Sequence, residues 1–108
     1  MPEIVLGGPY ATFINTFRCD PQNQAEVVRI NVDIVDQVAS SFPGFISASV
    51  HRSTDGTRII IYLQWESAEH LAAMQRSEKF REIGREFAGL IEFDPHRCEV
   101  VHIRQTTP

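Results

Sequence analysis

FISASVHRSTDGTRIIIYLQW, residues 45–65, is the stretch on which the fold turns. A run of apolar and β-branched residues meets the polar cluster Ser-Thr-Asp-Gly, and a second such run follows. That pattern predicts a hairpin with strands over 45–52 and 57–65 and a turn at 53–56. In the second strand a period of two puts Ile59, Ile61, Leu63 and Trp65 on one face and Arg58, Ile60, Tyr62 and Gln64 on the other. Two strands alone are marginally stable in water, so the flanking sequence must supply the rest of a core.

Upstream, YATFINTF (10–17) is aromatic and β-branched and reads as a strand. Asp20-Pro21 then opens a helix, with Asp20 as N-cap and Pro21 in the first turn. Apolar residues recur at Ala25, Val28, Val32, Val35, Ala39 and Phe42 until Pro43-Gly44 ends it. Downstream, Ser67 caps a helix through Ala68, Leu71, Ala72 and Met74. Ser77 or Glu78 opens a further helix through Phe80, Ile83 and Phe87, which Gly89 closes. HRCEVVHIR (96–104) alternates as a last strand. The order β-α-β-β-α-β predicts an α+β, ferredoxin-like fold: a four-stranded antiparallel sheet with both helices on one face. The other face, read as carrying Ala48, Val50, Ile60 and Tyr62, is too apolar to stay wet, so a homodimer through the sheet faces is expected.

With 108 residues, 43% of them hydrophobic, the chain has material for one core. Residues 1–9 read as a loose lead-in and 10–108 as a single domain. A net charge of -4 with ten scattered Lys and Arg argues against nucleic acid and anionic membranes as partners. The absence of a long apolar run or a basic-apolar leader points to a cytoplasmic protein. Cys19 and Cys98 lie far apart without CxxC spacing and read as buried or half-buried thiols, with a single disulfide between them as the alternative. His70, His96 and His102 show no metal-ligand spacing.

The motifs INTF, PGF, His-x-Ser-x-Asp-Gly-Thr, QWES and SEKF, in that order and spacing, resemble the antibiotic biosynthesis monooxygenase family. The resemblance implies a dimeric α+β barrel with a cavity between helices and sheet. It also implies an oxygenase that inserts oxygen from O2 into a polycyclic aromatic polyketide of anthrone or angucycline type. Such chemistry is metal-free, and either cofactor-independent or assisted by a reduced flavin (FADH2 or FMNH2), in which case the reaction can open a ring. On the same resemblance Trp65, His51 and Asn15 match active-site positions, and Arg81 matches an arginine on the cavity wall. The chain departs where anthrone oxygenases carry an asparagine, here Ile61, and where one carries a tyrosine, here Leu71. Haem-degrading relatives on this scaffold need a histidine where the SEKF alignment puts Gly84, which speaks against haem.

An oxygenase without metal needs a dry, flat cavity and a group near the reacting oxygen. Phe13, Phe17, Phe80 and Trp65 are expected to supply walls, with Ile61, Leu71 and Arg81 also in contact with substrate. His51 is the candidate base, because an ordinary histidine titrates near working pH. Two other readings keep the cavity but not the oxidation: a non-catalytic binding or accessory protein, and a cyclase or isomerase.

Overall fold

A computed structural model describes residues 10–106; the expected lead-in over 1–9 lies outside the described residues. The chain forms β1 (Ala11–Arg18), α1 (Gln24–Asp33), β2 (Phe45–Arg52), β3 (Arg58–Trp65), α2 (Ala68–Gln75), α3 (Glu78–Gly84) and β4 (Glu92–Cys98). The strands make one antiparallel sheet in the order β2-β3-β1-β4, as the ferredoxin-like reading requires.

The hairpin turn is locked by Asp55. Its carboxylate accepts hydrogen bonds from the Ser53 and Thr57 hydroxyls and from the Thr57 backbone N–H. Those bonds hold its carboxyl well below the usual range, at about 2. The turn pairs Arg52 with Ile59 and therefore Val50 with Ile61 and Ala48 with Leu63. Ala48 and Val50 thus share the helix-covered face, which corrects the expectation that they lie beneath the sheet. Cross-strand partners must point the same way, and the turn length sets who is partnered. The far face is more polar than expected: Thr12, Ser47, Ser49, His51 and Gln64 stand among Ile14, Ile60 and Tyr62.

Above the sheet, Val27, Ile30 and Ile34 meet Phe17, Ile59, Ile61, Leu63 and Trp65, with Leu71, Met74 and Ile83 from the second half. The most deeply buried residues of the first helix and its extension are Val27, Ile30, Asn31, Ile34, Val38 and Ala39; of the predicted stripe, Val28, Val35, Ala39 and Phe42 do pack on the core, whereas Ala25 and Val32 are exposed. Both stripes are apolar, and Asn31 interrupts the more deeply buried one. After Asp33 the helix widens into a π-helical turn over Ile34–Val38, where the Ala39 N–H reaches back to Ile34. Asp20 stands before a short 3-10 turn, Pro21–Asn23, and makes no side-chain cap bond. Ser67 and Ser77 do cap α2 and α3, accepting from the His70 and Phe80 backbone N–H groups. The last strand runs over Glu92–Cys98 instead of 96–104. Pro95 lies inside it, which β4 tolerates as an edge strand, where a missing N–H need not break a ladder. Cys19 and Cys98 are free, and burial, with the Asp20 charge second, raises the Cys19 thiol.

Gly44 closes the first helix-to-strand connection at φ +87°, and a Cβ there would lie 2.3 Å from the His70 ring. Gly89 is also left-handed, at φ +78°, but faces open space. Gly44→Ala is therefore expected to cost about 2–4 kcal/mol in urea unfolding, and Gly89→Ala only about 1 kcal/mol. Equal losses would remove the steric argument.

Candidate active site

The sequence of β1 alternates apolar and polar residues except at one point. Phe13, Asn15 and Phe17 fall on the helix-facing side, so an amide sits among aromatic rings. Its neighbours in the ladder are Ile61 on β3 and Pro95 on β4. Neither side chain can satisfy an amide. Asn15 is 8% exposed, and its Oδ1 has no hydrogen-bond partner among the described residues. A buried orphan of this kind costs about 1–3 kcal/mol and calls for an explanation.

Asn15 opens onto a cavity of about 510 Å³. Phe13, Phe17, Ile61 and Leu63 form its floor, and Asn31, Ile34, Val35 and Ala39 form the wall on the first helix. Leu71, Met74, Gln75 and Phe80 close the α2–α3 side. The segment from Gly84 to Ile91 and the β4 residues Phe93 and Pro95 make the mouth. The wide turn over Ile34–Val38 lets Ile34, Val35 and Ala39 all reach this space from adjacent turns. Phe17 stacks at a tilt on Phe87, with centroids 5.2 Å apart, and on Phe93 at 6.4 Å. Phe93 is nevertheless 63% exposed, so the aromatic wall continues out to solvent.

Polar groups in the lining are few: the amides of Asn15, Asn31 and Gln75, and the guanidinium of Arg85. No acid, histidine, lysine, tyrosine or cysteine lines the cavity among the described residues. The space thus offers hydrogen bonds and one cation, and no side chain able to take up a proton.

Phe13, Asn15, Phe17, Ile61, Leu71 and Phe80 are brought together as expected. Three expected residues are not in the lining. Trp65 lies one step beyond Leu63 on the same face, fully buried and edge-on to Phe45 at 5.4 Å. Its indole N–H has no partner among the described residues. His51 pairs with Ile60, so it points to the far face of the sheet, where it is exposed and bonded to Ser49 at 3.0 Å. The hairpin parity that buries Trp65 therefore excludes His51 from the cavity. Arg81 is exposed outside the lining, and Arg85, one helical turn later, takes the place at its edge. Asn31, Gln75, Arg85, Phe87 and Phe93 were not anticipated. The signal for Asn31 was present as a single amide inside the stronger of two apolar stripes.

The segment carrying Arg85 and Phe87 is tied to α1. Arg29 reaches Glu86 at 2.8 Å while also bonding Glu26 and Asp33. Each exposed pair contributes little, but together they join the helix to the mouth.

A model of the antibiotic biosynthesis monooxygenase family matches residues 11–86. Over 91 residues the chain is 30% identical to the tetracenomycin-F1 monooxygenase of Streptomyces glaucescens, which covers 84% of this chain and 81% of that protein. SnoaB, a cofactor-independent oxygenase from Streptomyces nogalater, has a similar structure, with a TM-score of 0.72 and 16% identity over 94% of this chain and 99% of that one. A conserved protein from Bacteroides thetaiotaomicron gives a TM-score of 0.77 at 17% identity, over 87% of this chain and all (100%) of that one. Likeness at such identities speaks for a shared fold.

Asn15→Leu removes a buried acceptor that nothing in the described structure satisfies. It is expected to leave stability unchanged or raise it by about 1 kcal/mol in urea unfolding. A loss of more than about 1 kcal/mol would make Asn15 a structural residue and not one held in reserve for a ligand.

Proposed function

The chain belongs to the antibiotic biosynthesis monooxygenase family, and from that premise we propose that it adds oxygen from dioxygen to a flat, polycyclic aromatic polyketide intermediate. The observation that carries this reading is the lining of the cavity. Its walls are aromatic and aliphatic, three amides and a guanidinium are its polar side chains, and no general base lines it among the described residues. Its volume of about 510 Å³ suits a small polycycle. The similarity to a tetracenomycin-F1 monooxygenase supports the same class of reaction.

Triplet dioxygen reacts slowly with closed-shell molecules, so the substrate must become a strong electron donor. A cavity without a base suits a substrate that is itself acidic, such as an anthrone, whose enolate forms readily in solution. Arg85, exposed at the rim, attracts that anion, and the Asn15 Oδ1, which has no partner among the described residues, accepts a hydrogen bond from the hydroperoxide O–H that forms later. The enolate then transfers one electron to dioxygen and the radical pair joins as a carbon-bound peroxide. Protonation and loss of water leave a carbonyl. A CH2 and one O2 thus become C=O and H2O, with one oxygen atom in each product.

The cavity lining does not suit a metal, since no ligating side chain stands in it and no cluster of three His, Cys, Asp or Glu occurs among the described residues. A cyclase or isomerase needs a group to carry protons between atoms, and the lining has none. The same deficit favours one second reading, a binding protein that holds the polycycle without oxidising it. We also propose that a second copy covers the far face of the sheet, where the apolar side chains of Ile14, Ile60 and Tyr62 are only partly buried.

Dioxygen uptake with anthrone, run with and without chemically reduced flavin, tests the reaction. Flavin-independent uptake, one O2 per anthrone, is expected above the spontaneous rate. Arg85→Met is expected to lower kcat/KM about tenfold and Asn15→Leu about a hundredfold. Uptake that requires flavin would replace this mechanism with the flavin-assisted, ring-opening one. Binding without uptake would establish the accessory reading.

A further inference from the structure

We propose that Asn31 is a substrate-binding residue. Its Oδ1 accepts a hydrogen bond from a phenolic or enolic hydroxyl, so the cavity selects hydroxylated polycycles. The proposal rests on the oxygenase reading and adds to it a chemical criterion for the substrate.

Asn31 lies on the buried face of α1 between Val27, Ile30 and Ile34 and is only 2% exposed. Packing alone gives no reason for an amide there. Asparagine is a poorer helix former than leucine, and a leucine would fill the same space. The side chain is held in one orientation, because its Nδ2 donates to the Val27 carbonyl one turn back, at 3.1 Å. That bond uses the donor end of the amide and leaves the acceptor end for the cavity that the residue lines. No donor meets this oxygen among the described residues.

What should it accept from? Apart from Arg85 at the rim, which would itself repel a cation, the lining is apolar or carries amides, so a cation would be desolvated at high cost, whereas a neutral O–H is cheap to bring in. A hydroxyl on a polycycle is such a donor. The polar groups then divide the ligand between them: Arg85 at the rim takes an anionic or carbonyl oxygen, and Asn31 on the helix wall takes a hydroxyl. Two polar contacts at separate places fix the rotation of a flat molecule that the phenyl rings alone would leave free.

The test uses binding, so it does not depend on turnover. Anthraquinone and its two monohydroxy isomers are titrated against the full-length protein at a pH that keeps the phenol protonated, with quenching of Trp65, the single tryptophan, as the signal. At least one isomer is expected to bind the wild type about tenfold more tightly than the parent quinone. Asn31→Leu and Asn31→Ala should reduce that preference to near unity while leaving parent affinity within about twofold. Measuring thermal unfolding of both variants separates lost binding from lost fold. A preference that survives either folded variant overturns the proposal. So does a uniform weakening of all three ligands, which is what a structural asparagine would give, or a wild type with no preference. Should the wild type bind none of the three, the oxygenase reading fails first and takes this inference with it.

Discussion

The ladder between β1 and β3 is the constraint on which the site depends. It sets Phe13 against Leu63, Asn15 against Ile61 and Phe17 against Ile59, all on the side that the helices cover. A slip of one residue would send Thr12, Ile14 and Thr16 into the core and turn the cavity floor to the other face. The ladder is protected by its position, since these two strands lie in the middle of the sheet with β2 and β4 outside them. The hairpin turn held by Asp55 then fixes β2 against β3, so one short polar cluster determines which residues of two strands meet the helices.

Above that floor the helices do not close down completely. A core packed throughout to ordinary interior density would leave little room for a ligand. Here the first helix widens at Ile34–Val38, and the chain after α3 arches over Gly84 to Ile91. The space between is kept at a cost: Asn15 carries a buried acceptor without a partner, and Asn31 meets its hydrogen-bonding needs only in part. On the proposed reading both amides serve what enters the cavity, an exchange of stability for function that binding sites commonly make.

The cavity's electrostatics follow from which residues are missing as much as from those present. A site lined by carboxylates or histidines could move protons, and one with several cations could hold phosphate. This one has aromatic faces, amides and a single guanidinium at its rim. On the proposed reading the reactivity resides largely in the substrate, with the protein supplying dryness, orientation and a place for negative charge. His51 illustrates the point from the other side. It belongs to a well-formed hairpin, yet its register partner is Ile60, and so it serves the far face of the sheet.

Much of the fold was legible in the chain. The hairpin, the capping serines 67 and 77, and the element order each have a local cause: turn chemistry, a side-chain acceptor and hydrophobic period. The family resemblance singled out Asn15, and the need for aromatic walls singled out Phe13 and Phe17, all three of which line the cavity. What failed to read was everything that depends on choosing between two locally equivalent answers. The first helix offers two apolar stripes, and only docking on the sheet selects the one that carries Asn31. The choice between Arg81 and Arg85 depends on how α3 and the turn after it pack against the first helix and its extension, and Asp94-Pro95 is a breaker or part of an edge strand according to what pairs with it. Local chemistry therefore determined the elements and their order. Tertiary packing decided which faces look inward, because side-chain direction in a strand or helix becomes definite only when a partner surface removes one of the faces from water.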